Sequence, residues 1–374
     1  VTGEDSRKVS TLELFFDLVF VFAFTQVTLG LSKDPTYEGL GKGFAVFLLL
    51  WWAWGAYAWL TTVLETAHRA ARLVVIVSMA AMLLVAFAVP TAYDAGAWVF
   101  AAGWTVVMVL HALLFWLTTK QGGTTPRAVI QIGAGNLVAG GVLFGAAAAD
   151  GTLAQVLLIL AAVIAYATPY IWGVGGFSIS PSHFAERHGL IVIIALGESI
   201  VAAGAGAGEI HFDARTIVTV LLALLLISAL WWSYFDATGE RVEQRLHDTA
   251  DERRARLARD VYSYLHIPLV FGVVMVALGL KKTLAHPDEP LSAVAAVCLA
   301  GGAALYFLAL AAIMLRCRLK GWDTRLSIAI ASPIFFISHD RPAVVLLGIV
   351  ALLVVITTAL DTWLAAIPDR SPAA

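Results

Sequence analysis

Apolar runs of span length, repeated from residue 12 to residue 363, constrain this chain more than any other feature. A helix needs about 20 apolar residues to cross the hydrocarbon core of a bilayer. Cutting the sequence at charged, proline and glycine breaks predicts twelve such helices. They cover roughly residues 12–30, 43–62, 71–89, 97–118, 127–147, 152–173, 188–207, 214–235, 261–280, 291–315, 325–338 and 343–363. With 60% apolar and only 13% charged residues, the chain departs far from the composition of a soluble domain. The expected fold class is therefore an all-α integral membrane protein. A soluble enzyme and a disordered chain are excluded as first readings. The 24 basic and 26 acidic residues give no one-sided basic excess, so no nucleic-acid partner is expected.

The basic residues orient the bundle. With the N-terminus and the even loops on one side, that side holds 18 of the 24 Lys and Arg residues, from Arg7 and Lys8 through Arg253, Arg254 and Arg256 to Arg370. The other side holds Lys33, Lys42, Arg215, Lys281, Lys282 and Arg341. Basic residues concentrate in cytoplasmic loops. The split therefore predicts a multi-pass protein of the bacterial cytoplasmic membrane with both termini inside, which an even number of spans requires. Residues 1–10 are mostly polar and the run after them is span-length, so no cleavable leader is read. Cys298 and Cys317 stand 19 residues apart in one apolar segment, about 28 Å along a helix, and are not expected to form a disulfide.

Three domain segments are read: 1–236 with spans 1–8, a charged cytoplasmic connector helix at 237–260, and 261–374 with spans 9–12. Alternating charges at three- and four-residue spacing, such as Glu240, Arg241, Glu243 and Arg245, suit the connector to a solvated helix. The halves also echo each other. Trp51-Trp52 ends an apolar run as Trp231-Trp232 does, and Thr125-Pro126-Arg127 opens span 5 as Asp323-Thr324-Arg325 opens span 11. The echoes predict a six-plus-six parallel repeat with its boundary near 174–187. Transporter sites tend to lie at repeat interfaces near interrupted helices. The matching helix breaks would be Gly135 and Asn136 in span 5 and Pro333 in span 11; close glycine packing is the competing explanation for span 5.

A charge inside a span costs roughly 2.5–3.5 kcal/mol on insertion scales and needs a reason. Glu13 and Asp17 lie four residues apart, on one face of span 1. His183, Glu186, Arg187 and His188 open span 7, Glu198 lies deep within it, and His266 sits in span 9. Three readings stay open for these groups. Glu13, Asp17, His183, Glu186, Arg187, Glu198 and His266 could line a polar path for an ion or proton. The His183/Glu186 cluster could serve a membrane-embedded enzyme or cofactor protein. The charges could only pair, in a structural or stress-adaptation protein. The spacing His-x-x-Glu-x-His is not that of zinc hydrolases, and side chains five apart diverge on a helix, so no metal site and no cofactor are predicted.

These segments carry a family resemblance. Glu13-Leu14-Phe15-Phe16-Asp17-Leu18-Val19-Phe20-Val21-Phe22-Ala23 resembles the first-span signature of the bacterial low-temperature-requirement A (LtrA) proteins. His183-Phe184-Ala185-Glu186-Arg187-His188-Gly189-Leu190, followed by Leu196-Gly197-Glu198-Ser199-Ile200, resembles the family's second signature, with His188 where an aromatic such as Phe is expected. Trp231 to Phe235 and Tyr264 to Leu269 are similar to it as well. The resemblance implies a polytopic bacterial membrane protein whose family name records a growth phenotype, not an activity. Phe16-Asp17 is also similar, by analogy only, to the F-S-D motif of lysosomal-type potassium and proton channels; the serine is absent here, so the filter chemistry does not transfer. The leading expectation is a transporter or channel, ion- or proton-coupled. Its expected partners are the lipid bilayer, an ion or small-molecule substrate, and further copies of the chain in a homo-oligomer.

Overall fold

The computed structural model describes residues 9–63, 69–119, 125–174, 177, 179–206, 213–331 and 340–366. These are almost wholly helical: α1 (Thr11–Lys33), α2 (Tyr37–Val63), α3 (Arg69–Ala88), α4 (Ala97–Thr118), α5 (Pro126–Ala147), α6 (Gly151–Ile171), α7 (Pro181–Gly206) and α8 (Ala214–Tyr234). They continue as α9 (Glu240–His247), α10 (Asp251–Ala258), α11 (His266–Ala285), α12 (Ala293–Cys317), α13 (Trp322–Ala331) and α14 (Ala343–Ala366). Eleven helices among the described residues are long and apolar enough to cross a membrane. Of the span expected at 325–338, α13 is described, whereas residues 332–339, Pro333 included, lie outside the described residues. The fold is thus that of an all-α polytopic membrane protein.

Local chemistry sets the helix ends. Ser10 caps α1 reciprocally with Glu13: the Glu13 amide donates to Ser10 Oγ (3.4 Å) and the Ser10 amide to Glu13 Oε2 (2.7 Å). Thr125 caps α5 with Pro126 at its first position, where no donor is lost. Arg318 ends α12 in the left-handed conformation (φ 57°).

The expected connector over 237–260 is not one helix. α9 and α10 are separate, with Asp248-Thr249-Ala250 between them. Asp and Thr compete for backbone hydrogen bonds in this way and favour turns. Arg254 Nε and Nη2 donate to the carbonyls of Leu246 and His247 at the end of α9 (3.2 and 3.4 Å). α10 then runs through a π-helical turn, Arg259–Leu265, directly into α11, so half of the connector extends a membrane helix.

The chain divides into two compact units, residues 1–194 with 246–263 and residues 195–245 with 264–374. The chain passes from the first to the second inside α7, beyond the 174–187 boundary read from sequence. Within the first unit α3, α4, α5, α6 and α2 are neighbours in that order, and α1 lies against α2 and α3. Within the second unit α11, α12, α13, α14 and α8 are neighbours in that order.

Small residues set the helix spacing. A Cβ on Gly272 of α11 would lie 2.7 Å from the Gly302 carbonyl oxygen of α12, and one on Gly302 equally close to that of Gly272. A Cβ on Gly135 would lie 2.2 Å from Thr168 Oγ1. Membrane helices associate through such close approach because lipid supplies no hydrophobic drive between them. This corrects the expectation for span 5: α5 runs unbroken through Gly135 and Asn136. Gly135 admits α6, and buried Asn136 accepts a hydrogen bond from Trp52 Nε1 at Oδ1 (2.8 Å).

Candidate functional site

Two helices of the first unit each present a charged pair at four-residue spacing, and the pairs interlock. Glu13 and Asp17 project from α1, and His183 and Arg187 from the first turns of α7; all four are buried. Arg187 Nη2 donates to Asp17 Oδ1 at 2.5 Å. Its Nη1 is shared between Glu13 Oε1 (3.4 Å) and Thr61 Oγ1 of α2 (2.9 Å). Asp17 Oδ1 also accepts from Trp54 Nε1 (2.8 Å), and the Arg187 guanidinium carbon stands 5.9 Å from the Trp54 ring centre. A cation over an indole face gains further electrostatic attraction.

Glu13 works in two directions. Its Oε2 accepts from the backbone and hydroxyl of Ser10 (2.7 and 2.8 Å). Its Oε1 lies 3.1 Å from His183 Nε2, out of line for a hydrogen bond. Neither imidazole nitrogen of His183, nor Asp17 Oδ2, nor Arg187 Nε has a hydrogen-bond partner among the described residues. The formal count is two carboxylates against one guanidinium. With a neutral imidazole the cluster holds one negative charge, and one proton makes it neutral. Buried charges are tolerated where they are paired.

The cluster is walled by apolar and aromatic side chains. Phe16, Phe20, Ala23 and Phe24 follow along the buried face of α1. His188 sits in an aromatic box, its ring centre 4.8 Å from Trp54, 4.5 Å from Phe184 and 4.7 Å from Tyr262. That box explains a position where an aromatic residue is expected. A π-turn carbonyl and hydroxyl then anchor the tryptophans: Trp51 Nε1 donates to the Ser263 carbonyl (3.0 Å) and Trp59 Nε1 to Ser263 Oγ (2.9 Å).

The other sequence candidates do not join this cluster. Glu186 is exposed, one step around α7, and accepts from the Val9 amide at Oε2 (3.2 Å). Glu198 is buried in the part of α7 that belongs to the second unit. His266, also in the second unit, has its Nε2 2.9 Å from the Tyr234 hydroxyl. Among the described residues no three His, Cys, Asp or Glu side chains are grouped to hold a metal ion.

The second unit contains a buried ion pair that the hydropathy of the sequence conceals. Arg325 of α13 meets Asp361 of α14, Nη2 to Oδ2 at 2.5 Å and Nη1 to Oδ1 at 3.2 Å. Arg325 also donates to Thr238 Oγ1 (3.0 Å), to the Gly321 carbonyl (3.1 Å) and to Met314 Sδ. Thr238 lies in the π-turn after α8, and Thr324 Oγ1 donates to Asp361 (3.2 Å). Arg325 looks like a loop residue at a span edge, and Asp361 like the end of the last span. Trp54 and Thr61 were missed for a similar reason: an indole or a hydroxyl inside an apolar run reads as packing until its acceptor or donor is known.

Helices of this length and composition, with charge clusters sealed inside, define a polytopic integral membrane protein. The model of the bacterial low temperature requirement A protein (LtrA) family matches residues 8–367, and the chain belongs to that family. It is also similar to a protein of Rhizobium meliloti (strain 1021) described as uncharacterized. The two are 29% identical over 301 residues, 76% of this chain and 72% of the other.

Proposed function

We propose that the chain is a proton-coupled transporter of the bacterial cytoplasmic membrane, with Glu13, Asp17, His183 and Arg187 as its proton-binding site. One observation carries this reading: the buried cluster has two carboxylates, one guanidinium and one imidazole, so a single exchangeable proton decides whether it is charged or neutral. Arg187 bonds both carboxylates, so gain or loss of that proton changes how strongly α7 is held to α1. This is the local bistability that coupling requires. The cluster in the second unit differs. Arg325 and Asp361 already balance, and the pair is bidentate, which suits a permanent structural tie. The matching order of helix neighbours in the two units supports a six-plus-six duplication, and the basic-residue bias supports cytoplasmic termini.

The test is proton flux in proteoliposomes carrying an internal pH dye, driven by a potassium diffusion potential. Asp17→Asn and Glu13→Gln should each lower the flux at least tenfold. Asp150→Asn, at an exposed loop carboxylate, should leave it within twofold of the parent protein. Equal flux in Asp17→Asn and the parent protein would overturn the reading. The direct Arg187–Asp17 contact would then favour the second reading, in which these charges only brace the bundle.

A further inference from the structure

The first unit has a polar cavity of about 230 Å³ between the end of α1, the start of α2 and the turn from α3 to α4. It lies toward the end of α1 opposite the charge cluster. From Asp17 to Val27 on its floor is about 15 Å along the helix. Phe20, Ala23 and Phe24 fill the buried face of α1 between them. Val27, Leu31 and Val46 line the cavity with apolar surface, and Lys33, Asp34, Lys42, Tyr93 and Asp94 bring charge and a ring to it.

The charges are unequally engaged. Lys42 is held by Glu38 (2.8 Å), which also accepts from Gln155 Nε2 (3.0 Å). Asp34 Oδ1 accepts from the Thr36 hydroxyl (2.9 Å). Lys33 and Asp94 are both exposed; Asp94 attracts Lys42 without a direct contact, and neither side chain makes a close ion pair or side-chain hydrogen bond among the described residues. The cavity therefore offers one cation and one anion without a direct partner, beside an apolar lining. Sites for small molecules combine an apolar lining with a few convergent polar groups in this way. We propose that this cavity binds a small zwitterion, an ammonium carboxylate with a short apolar body. Its carboxylate would meet Lys33 and its ammonium Asp94. This deepens the transport reading and rests on it: the cavity would be where the solute enters, on the side away from the cytoplasm.

Gly30 provides a clean test. It lines the cavity, and a Cβ placed on it meets nothing within 4 Å, so a side chain there starts in open space beside the cavity. The experiment is equilibrium binding of tritiated L-leucine to the full chain in nanodiscs, with isoamylamine and 4-methylpentanoate as competitors that each keep one charge. Unlabelled leucine should compete at least tenfold better than either analogue. Gly30→Leu, Lys33→Gln and Asp94→Asn should each weaken binding at least tenfold, and Gly141→Ala, at a position outside the cavity with nothing within 4 Å, should leave it unchanged. No saturable leucine binding, competition by one single-charge analogue equal to that by leucine, or unaltered binding in Gly30→Leu would overturn the proposal. Loss of leucine binding with proton flux still dependent on Asp17 sinks this inference alone. Intact leucine binding with flux indifferent to Asp17 sinks the proton site alone.

Discussion

Arg187 bonds two acidic residues, a threonine hydroxyl and, through its charge, an indole face, all away from lipid and water. Removing one partner of a buried ion pair leaves the other charge uncompensated and costs about 3–5 kcal/mol, whereas replacing the set with apolar groups of similar volume is often neutral. Arg187→Met alone should therefore lower the thermal stability of the detergent-purified chain by an amount in that range. Arg187→Met combined with Glu13→Met and Asp17→Leu should recover most of it, read as the unfolding midpoint. Arg187→Lys should recover less than the triple variant, because an ammonium is a point charge and cannot bridge Glu13, Asp17 and Thr61 as a planar fork does. Failure of the triple variant to improve on Arg187→Met would show that the charge deficit is not what binds these residues together. At this scale the sequence was informative where helical spacing sufficed: Glu13 with Asp17, and His183 with Arg187, are four apart and share a face. It was silent on Trp54 and Thr61, which reach the cluster from α2 across a long-range contact that no spacing encodes. Glu186 stands outside the cluster, because one residue around a helix turns a side chain by about 100° and here carries it outward.

Helix elements were legible because the bilayer permits few alternatives: backbone groups in hydrocarbon must be satisfied within the helix. The exceptions are local. α5 keeps its helix through Gly133, Gly135, Gly140 and Gly141. Glycine lowers helix propensity in water, but inside a bundle it allows α6 to approach, and packing prevails over propensity. The charged 237–260 segment carries alternating charge on both sides of Asp248–Ala250, which reads as one helix, whereas turn chemistry divides it there. The contact between α11 and α12 gives the sharpest prediction at this scale. Gly272 and Gly302 face each other so closely that an added Cβ meets backbone, which cannot rotate away as a side chain can. Gly302→Val should cost about 1–3 kcal/mol or more by overpacking, seen as a lower unfolding midpoint and a larger aggregated fraction in gel filtration. Gly141→Ala, on a position with nothing within 4 Å, should leave both unchanged or slightly improved. Equal behaviour of the two variants would mean that the α11–α12 approach is looser than the glycine geometry implies.

At the scale of the whole molecule, charge bias and an even number of spans together predict both ends inside, and eleven helices long and apolar enough to span stand among the described residues. On that expectation the loop at Asp150, after the fifth span, should face outward, and the turn at Asp248, between α9 and α10, should face the cytoplasm. The chain has two cysteines, Cys298 and Cys317, both buried in α12, so it offers little reactive background for thiol labelling. A cysteine placed at Asp150 should react with a membrane-impermeant maleimide in intact cells. One placed at Asp248 should react only after the membrane is opened. The reverse pattern would invert the bundle, and labelling of both positions in intact cells would remove one crossing between them. The result also bears on the proton site. With the N-terminus inside, Glu13 and Asp17 lie near the cytoplasmic end of α1, and the cavity at Lys33 and Asp94 lies at the other. A solute entering there from outside would be separated from the proton site by the Phe20–Phe24 stretch of α1, so coupling would require that aromatic layer to move. An inverted bundle would keep the layer and reverse the direction in which a proton gradient could drive the solute.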